Sequence, residues 1–161
     1  MKKIINIDTV RTPIGTLTLG VSEEGRAVFL LFDGQTPPPG CLRDPERCSV
    51  FKAELEEYFA GKRKDFTVPC EYPGTPFAVA VLKALAGVPY GKTITYGELA
   101  AQAGHPRAAR AVGTVMAKNP LPIILPCHRV LPSGGGVGNF GGGQSVKNFL
   151  LGLEARNSAK D

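Results

Sequence analysis

The chain has 161 residues, of which 43% are hydrophobic and 20% are charged, and its formal net charge is +5. This composition is typical of a soluble globular protein and allows one compact domain or two small ones. It excludes a membrane-spanning chain, because no apolar run approaches the ~18 residues that cross a bilayer. The apolar run after Lys3 ends at Asp8, which argues against a signal peptide and predicts a cytoplasmic protein.

Three β-rich runs open the chain, at residues 3–9, 15–21 and 26–32. Proline and glycine separate them, so they predict an antiparallel meander. The segment 34–48, which contains Pro37-Pro38-Pro39-Gly40, is predicted to be a loop.

A helix follows, with Ser49 as its predicted N-cap and Gly61 as its end. Its apolar stripe consists of Phe51, Leu55, Tyr58 and Phe59. The Pro- and Gly-containing segment 69–75 then indicates a linker between two domains. We therefore expect an N-terminal domain over 1–70, a second domain over 75–156 and a C-terminal tail over 157–161.

The second half is predicted to be mostly helical. Thr75 should cap and Pro76 should open its first helix, and Ser145 should cap its last one. Residues 120–131 are predicted to be extended and 134–143 to form a glycine-rich loop. The fold class is therefore α+β: a small N-terminal sheet-and-helix domain followed by a mostly helical C-terminal domain.

Two short helices, at 95–103 and from 107 to about 117, lie on either side of a Gly-containing turn and predict a helix-turn-helix. An ordinary helical hairpin gives the same pattern. The second helix carries Arg110 beside the small Ala108 and Ala109, which would allow close approach to a nucleic-acid groove. Helix-turn-helix proteins usually place that helix in the major groove.

Positive charge is concentrated in the second half. Residues 70–153 hold seven Lys or Arg and two Asp or Glu, a difference equal to the whole net charge. This asymmetry favours a polyanionic partner such as nucleic acid, although a merely soluble basic surface would look the same.

The chain has four cysteines: Cys41, Cys48, Cys70 and Cys127. None belongs to a Cys-x-x-Cys pair, and the two histidines lack ligand spacing, so no zinc site is predicted. Without a secretory signal the cysteines also argue against a disulfide scaffold. Only an oxidised preparation is expected to join Cys41 to Cys48.

The run Pro126-Cys127-His128-Arg129-Val130 is the most informative local feature. A cysteine is mostly a thiol at neutral pH and becomes a nucleophile when a neighbouring His, cation or helix terminus favours the thiolate. Adjacent side chains of an extended segment point apart, so a water is expected between Cys127 and His128. A buried structural cysteine is the alternative. Glu154, near the end of the last helix, is either a solvated residue or the group that orients His128.

Residues 136–141 match the dinucleotide pattern G-x-G-x-x-G. A dinucleotide site requires a βαβ unit around this pattern, and no second strand follows the helix in this sequence. We interpret the segment as a loop that forms one wall of a pocket.

These residues together resemble the O6-alkylguanine-DNA alkyltransferases, also called methylated-DNA–protein-cysteine methyltransferases. The resemblance extends without a gap over about 89–154, and the sheet-then-helix pattern of 1–70 fits the N-terminal domain of that family. It rests on 124–130, Thr95-Tyr96, 107–113, Asn119-Pro120, Gly138-Asn139 and Leu153-Glu154.

The resemblance implies that the Cys127 thiolate attacks the alkyl carbon on guanine O6 and retains the group as a thioether, once per molecule. His128, acting through a water, would be the general base, and Glu154 would orient it. Tyr96 would donate a proton or hydrogen bond to guanine N3. Asn119 would brace the turn before the active-site segment.

The resemblance also implies a flipped base and a set of contacts to alkylated double-stranded DNA. The substrate-binding residues would be Val130 through its carbonyl, Met116, Val137, Phe140 and Gly141. The DNA-binding residues would be Arg110, Ala108, Ala109 and Thr95. Arg110 would fill the gap left in the base stack from the minor groove, in contrast to the usual major-groove position. We expect a monomer without a metal or an organic cofactor, which acts on O6-alkylguanine and also on O4-alkylthymine.

Two positions depart from the common family pattern. Phe140 replaces a frequent tyrosine and Gly141 a frequent serine or alanine, which predicts a looser pocket wall that admits larger alkyl groups.

Two other functions fit parts of the sequence: a lesion sensor without catalysis, which would lack the acceptor cysteine, and a cysteine hydrolase, which would not explain Arg110.

Overall fold

A computed structural model describes residues 3–138 and 140–159. The chain divides into two compact units between Glu71 and Tyr72. A sheet with one helix forms the first unit and helices dominate the second, which confirms the α+β fold class. Asn139 of the Gly138-Asn139 motif lies outside the described residues. No described helix is long and apolar enough to cross a membrane.

In the described part of the chain, the sheet of the first unit consists of four strands, in the spatial order third, second, first and fourth along the chain. Strands β1 (Ile5–Thr12), β2 (Gly15–Ser22) and β3 (Ala27–Leu31) pair antiparallel, so the predicted meander is confirmed. The fourth strand, β4 (Leu42–Arg43), pairs parallel with β1 inside the segment predicted to be a loop. Its two residues are too few to give a sequence pattern, and only the ladder with β1 defines it.

Helix α1 spans Ser49–Phe59 and packs its apolar stripe into the core of the first unit. The predicted N-cap at Ser49 is wrong, because Cys48 holds that position without a side-chain bond. The reason lies in the preceding turn, in which the Cys48 amide donates to the Asp44 carbonyl at 3.2 Å. The backbone is already in the helical region at Cys48, so Ser49 is the first helical residue.

The second unit contains four helices among its described residues: α2 (Pro76–Ala86), α3 (Tyr96–Gln102), α4 (Ala109–Ala117) and α5 (Gln144–Ser158). Thr75 caps α2 by accepting a bond from the Ala78 amide at 3.1 Å, and Pro76 is its first residue, as predicted. A parallel pair of two-residue strands, β5 (Ile94–Thr95) and β6 (Val130–Leu131), fixes the start of α3 beside the Cys-His segment.

Helix α4 begins at Ala109, two residues later than predicted. The Ala108 amide donates to the His105 carbonyl at 3.0 Å, so the residues before α4 form a turn and Arg107 belongs to that turn. The two short helices and the intervening turn of the predicted helix-turn-helix are present, and both helices contact α2.

Both ends of α5 differ from the prediction. Gly143, with a φ of 92°, is its N-cap, so Ser145 lies inside the first turn and caps nothing. The positive φ turns the glycine-rich loop into the helix, which a residue with a side chain does only with strain. At the other end the helix continues to Ser158, past the start of the predicted tail at 157, and Asn157 donates a 3.3 Å bond to the Tyr90 hydroxyl.

Of residues 120–131, predicted to be extended, only Val130 and Leu131 form a strand, and residues 120–129 are not extended. They form a compact turn that leads into a 3-10 helix over Cys127–Arg129. The Leu125 amide donates to the Leu121 carbonyl at 2.8 Å, and Ile123 has a φ of 79°, an unusual value for a β-branched residue. The prolines in this segment lack the amide hydrogens that an extended ladder requires, and side-chain bonds close the turn instead.

Candidate functional site

A cavity of about 1000 Å³ opens in the second unit. Its lining combines the start of α3, one face of α4, the Cys127 turn and the glycine-rich loop. Eight residues predicted from the sequence line it: Thr95, Tyr96, Ala109, Arg110, Met116, Cys127, Phe140 and Gly141. The charged side chains of its described lining are Arg110 and Lys118, both cationic, so the cavity favours an anionic ligand.

One residue predicted to line the pocket, Val137, is not among the lining residues. This position of the half-buried Val137 corrects its assignment to the pocket. The loop turns at Gly138, whose φ is 74°, and Gly138 lines the cavity in its place. Sequence reasoning also missed most of the small residues that give the cavity its width: Gly97, Gly113, Thr114, Ala117, Pro132, Ser133 and Gly134.

Cys127 begins the 3-10 helix at the floor of the cavity and is only 8% exposed. Burial raises the pKa of its thiol to about 11. The Asn119 side chain, the Lys147 charge and the backbone amides of Cys127 and His128 all act in the opposite direction. Cys127 is therefore a thiol that needs both a base and positive charge to become a nucleophile.

His128 follows Cys127 in the 3-10 helix, is fully buried and is paired with Glu154 of α5. Its Nε2 lies 2.6 Å from Glu154 Oε2, and Nδ1 has no hydrogen-bond partner among the described residues. Burial lowers the pKa of His128, with positive charge from Arg129 and Lys147 adding to the effect and Glu154 opposing it. The imidazole is therefore neutral, with its hydrogen on Nε2 and its free electron pair on Nδ1.

Glu154 is 1% exposed, so the alternative of a solvated surface residue is wrong. Burial alone would raise the pKa of its carboxyl, but hydrogen bonds from His128 and Arg129, together with the positive charge of Arg129, lower it to about 2. Arg129 Nε and Nη2 bind the two carboxylate oxygens at 2.8 and 2.9 Å, and the Gly91 amide donates at 3.2 Å. Arg129 Nη1 donates to the Val88 carbonyl at 2.7 Å.

The sequence prediction assigned no role to Arg129, whose bonds to Glu154 and to the Val88 carbonyl we call the Arg129 clamp. The position of Arg129 next to His128 in the same short motif was the one sequence feature that pointed to such a role. The clamp keeps Glu154 ionised, and the ionised carboxylate keeps the His128 tautomer fixed.

Tyr96 is the first residue of α3 and lines the cavity. Burial, with a smaller effect from Cys127, raises the pKa of its phenol, so the hydroxyl is protonated and able to donate. Thr95 is the N-cap of α3, where its hydroxyl accepts from the Glu98 amide at 3.1 Å. Thr95 therefore fixes the start of the helix in addition to lining the cavity.

Asn119 joins the two ends of the turn before Cys127. Its Nδ2 donates to the Leu125 carbonyl at 2.8 Å, and its Oδ1 accepts from the Leu121 amide at 3.0 Å. Val130 is fully buried, and its carbonyl accepts a 2.8 Å bond from Lys147 Nζ. The sequence prediction named Val130 but not Lys147.

The outer face of α4 is the exposed part of the site. Arg110 is exposed, while the small Ala108 and Ala109 are half-buried, so the arginine side chain extends beyond its neighbours into solvent. All four cysteines are free thiols. Within residues 3–138 and 140–159, no group of three His, Cys, Asp or Glu is placed to hold a metal ion.

The site contains a buried cysteine next to a neutral histidine, and that histidine is paired with an ionised glutamate. Together with a helix-turn-helix that has a cationic rim, these groups define a nucleic-acid-binding domain that carries its own nucleophile. Comparison with known proteins agrees. The family model for the 6-O-methylguanine DNA methyltransferase DNA binding domain matches residues 76–156, and that for the ribonuclease-like domain of the same proteins matches 5–72.

Curated relatives include the methylated-DNA–protein-cysteine methyltransferase of Mycobacterium tuberculosis, 40% identical over 161 residues, covering 98% of this chain and 97% of the relative. The corresponding protein of Methanosarcina acetivorans is 40% identical over 146 residues, covering 89% and 94%. The crystal structure of Mycobacterium tuberculosis OGT in complex with DNA matches with a TM-score of 0.88 at 40% identity, covering 96% of this chain and 94% of that one. The chain belongs to the 6-O-methylguanine DNA methyltransferase family.

Proposed function

We propose that this protein repairs alkylated DNA by transferring the alkyl group of O6-alkylguanine to the sulfur of Cys127. As a member of its family it is a DNA repair protein with methylated-DNA–protein-cysteine methyltransferase activity. The assignment of Cys127 rests on one observation: it is the cysteine that lines the cavity, and the next residue in the chain, His128, is paired with Glu154.

The proposed step begins with removal of the Cys127 proton. His128 Nδ1 accepts it through a water molecule, while the bond to Glu154 stabilises the resulting imidazolium. The thiolate then attacks the alkyl carbon, so that the S–C bond forms as the C–O6 bond breaks. The guanine leaves with the electron pair of that bond, and Tyr96 donates a proton or hydrogen bond to its N3.

The product is a thioether on Cys127. None of the described residues that line the site activates water to cleave a thioether, so we propose that each molecule acts once. O4-alkylthymine presents the same kind of alkyl–oxygen bond and is proposed as a second substrate.

The proposed contacts to DNA are made by α4 and its N-cap residue. Chemistry on a stacked base requires that the base be extruded, at a cost of a few kcal/mol that is lowest for a weakly paired damaged base. We propose that the Ala108–Ala109 face lies in the minor groove and that Arg110 occupies the space left by the base. Minor-groove contacts read shape more than sequence, which suits repair in any sequence context. Such contacts require one copy of the chain, so the proposed form is a monomer.

The test is the stoichiometry of repair on a duplex that contains one O6-methylguanine. With the duplex in excess, the number of lesions converted to guanine should stop at about one per chain. The Cys127→Ala variant should convert none, while Cys70→Ala, a control that removes another partly buried thiol, should behave as the parent. Binding without any conversion by the parent would instead identify a lesion sensor, and repeated turnover would contradict transfer to the protein.

A further inference from the structure

Lys147 of α5 is fully buried, which is unusual for a lysine, and no step described above uses it. Its Nζ donates a 2.8 Å hydrogen bond to the Val130 carbonyl. None of the described Asp or Glu residues forms an ion pair with it. An ammonium without a carboxylate partner is costly to bury, so an anion is expected close by when the site is active.

The hydrogen bonds of the Cys127 turn indicate that this anion is the thiolate of Cys127. The Val130 amide donates to the Cys127 carbonyl and the Val130 carbonyl accepts from Lys147 Nζ, so one residue of the Cys127 turn contacts both Cys127 and Lys147. The Lys147 charge lowers the pKa of Cys127, and an ionised Cys127 raises the pKa of Lys147. Each group therefore favours the charged form of the other.

The other polar groups around Cys127 do not supply positive charge to it. His128 is neutral and bound to Glu154, and Arg129 is bound to Glu154 and to the Val88 carbonyl. Tyr96 of α3 and Asn119 at the start of the turn are uncharged. Arg110 and Lys118 also line the cavity, but both are exposed and solvent screens their charge. Among the described residues, Lys147 is therefore the buried cation near Cys127 that no carboxylate neutralises.

We propose that the buried Lys147 ammonium is the counter-charge that stabilises the Cys127 thiolate. Lys147 does not exchange a proton in this role: the thiol proton passes to His128, and Lys147 stays an ammonium that acts through Cys127. The inference rests on the proposed function only in taking Cys127 as the acceptor.

The test measures the reactivity of Cys127 without DNA. Iodoacetamide alkylation of Cys127, followed by peptide mapping at several pH values, reports the fraction of thiolate. Lys147→Met keeps the length of the side chain and removes the charge, so its rate below the pKa should fall about tenfold or more. Lys147→Arg, which keeps the charge, should stay within about threefold of the parent. Lys92→Met, a control that removes an exposed charge of the same unit, should not change the rate.

The proposal is overturned if Lys147→Met reacts at the parental rate, or if Lys147→Met and Lys147→Arg are equally slow. Should Lys147→Met fail to fold, nuclear magnetic resonance of labelled lysines gives a second measurement. The pKa of Lys147 should then be lower in Cys127→Ala than in the parent, and an unchanged value would reject the pair. Because no DNA is used, a failure to transfer methyl groups to Cys127 would contradict the proposed function and leave this result standing.

Discussion

Among the described residues, Glu154 accepts two hydrogen bonds from Arg129, one from His128 and one from the Gly91 amide. Such a carboxylate acts in two ways. It fixes the tautomer of the imidazole, with the hydrogen on Nε2, and it holds the segment after α2 against α5 through the Gly91 amide. Its ionisation is therefore linked to both the chemistry and the stability of the second unit.

This linkage predicts a loss of stability in acid. The pKa of Glu154 is about 2 in the folded protein and near 4.5 in the unfolded chain, so its contribution is complete above the unfolded value and lost as the pH falls toward 2. The unfolding free energy, measured with urea, should fall by about 3 kcal/mol from this residue between about pH 5 and pH 2. Glu154→Gln should lack that part of the decrease, whereas Glu56→Gln, which changes an exposed carboxylate, should retain it.

Gly141 gives a prediction about the size of the transferred group. A Cβ at this position meets no atom within 4 Å, so Gly141→Ser should fold normally and narrow only the cavity. The parent should react equally fast with methyl and benzyl adducts of matched intrinsic reactivity. The variant should lose about tenfold in rate on the benzyl adduct while its methyl rate stays near the parental value. A strong methyl preference of the parent in single-turnover kinetics would show that the wall is not loose.

At the scale of elements, the turn before Cys127 combines strain with a brace. Ile123 has a left-handed backbone with a buried side chain, a conformation that persists only where the surroundings impose it. The two Asn119 bonds to Leu121 and Leu125 lie on either side of it and close the turn. The position of Cys127 therefore depends on a residue eight positions earlier in the chain.

Removing the brace should affect both stability and transfer. Asn119→Ala leaves the Leu125 carbonyl and the Leu121 amide without these partners and should cost about 1–3 kcal/mol in urea unfolding. The rate of methyl transfer should fall as well, because the Cys127 turn is no longer fixed. Asn119→Asp retains the acceptor for Leu121 and loses the donor to Leu125, so it should lie between the two. Equal stability of all three proteins would show that the brace is not needed.

The elements also show how far local sequence determines structure. Thr75 and Pro76 start α2 as predicted, because a cap and a first-turn proline act within four residues. Ser49 and Ser145 carry the same signal but cap nothing, since a preceding turn at Cys48 and a positive φ at Gly143 set those helix starts. The pairing of a two-residue strand such as β4 depends on residues far away in the chain, so no local pattern shows it.

At the scale of the whole molecule, part of the positive charge counted in the second half of the sequence lies at the cavity and in the turn before α4. Arg110 and Lys118 lie at the cavity and Arg107 lies in the turn before α4. The sequence supplied this prediction because charge is counted without knowing contacts. It also supplied Cys127 and His128, which share a short motif. Lys147 and the Arg129 bond to Val88 could not be predicted, because they join residues 17 and 41 positions apart.

The proposed role of Arg110 can be separated from the chemistry of transfer. Arg110→Ala should slow transfer from a duplex strongly, by about a hundredfold, since an extruded base then leaves an unfilled gap in the stack. Transfer from the free base O6-benzylguanine, which needs no extrusion, should stay near the parental rate. Arg11→Ala, which removes an exposed arginine of the first unit, should change neither rate. An equal loss on the duplex and on the free base would place Arg110 in the chemistry instead.

The mass of the protein after a single reaction tests most directly whether the methyl group is transferred to Cys127. The protein is mixed with a duplex containing O6-methylguanine, and its intact mass and peptide map are recorded with Cys127 initially reduced. A gain of one CH2 unit per chain is expected on the peptide that contains Cys127, and no gain is expected in Cys127→Ala. A methyl group on any other residue, or a folded and reduced protein that gains no mass, would contradict it.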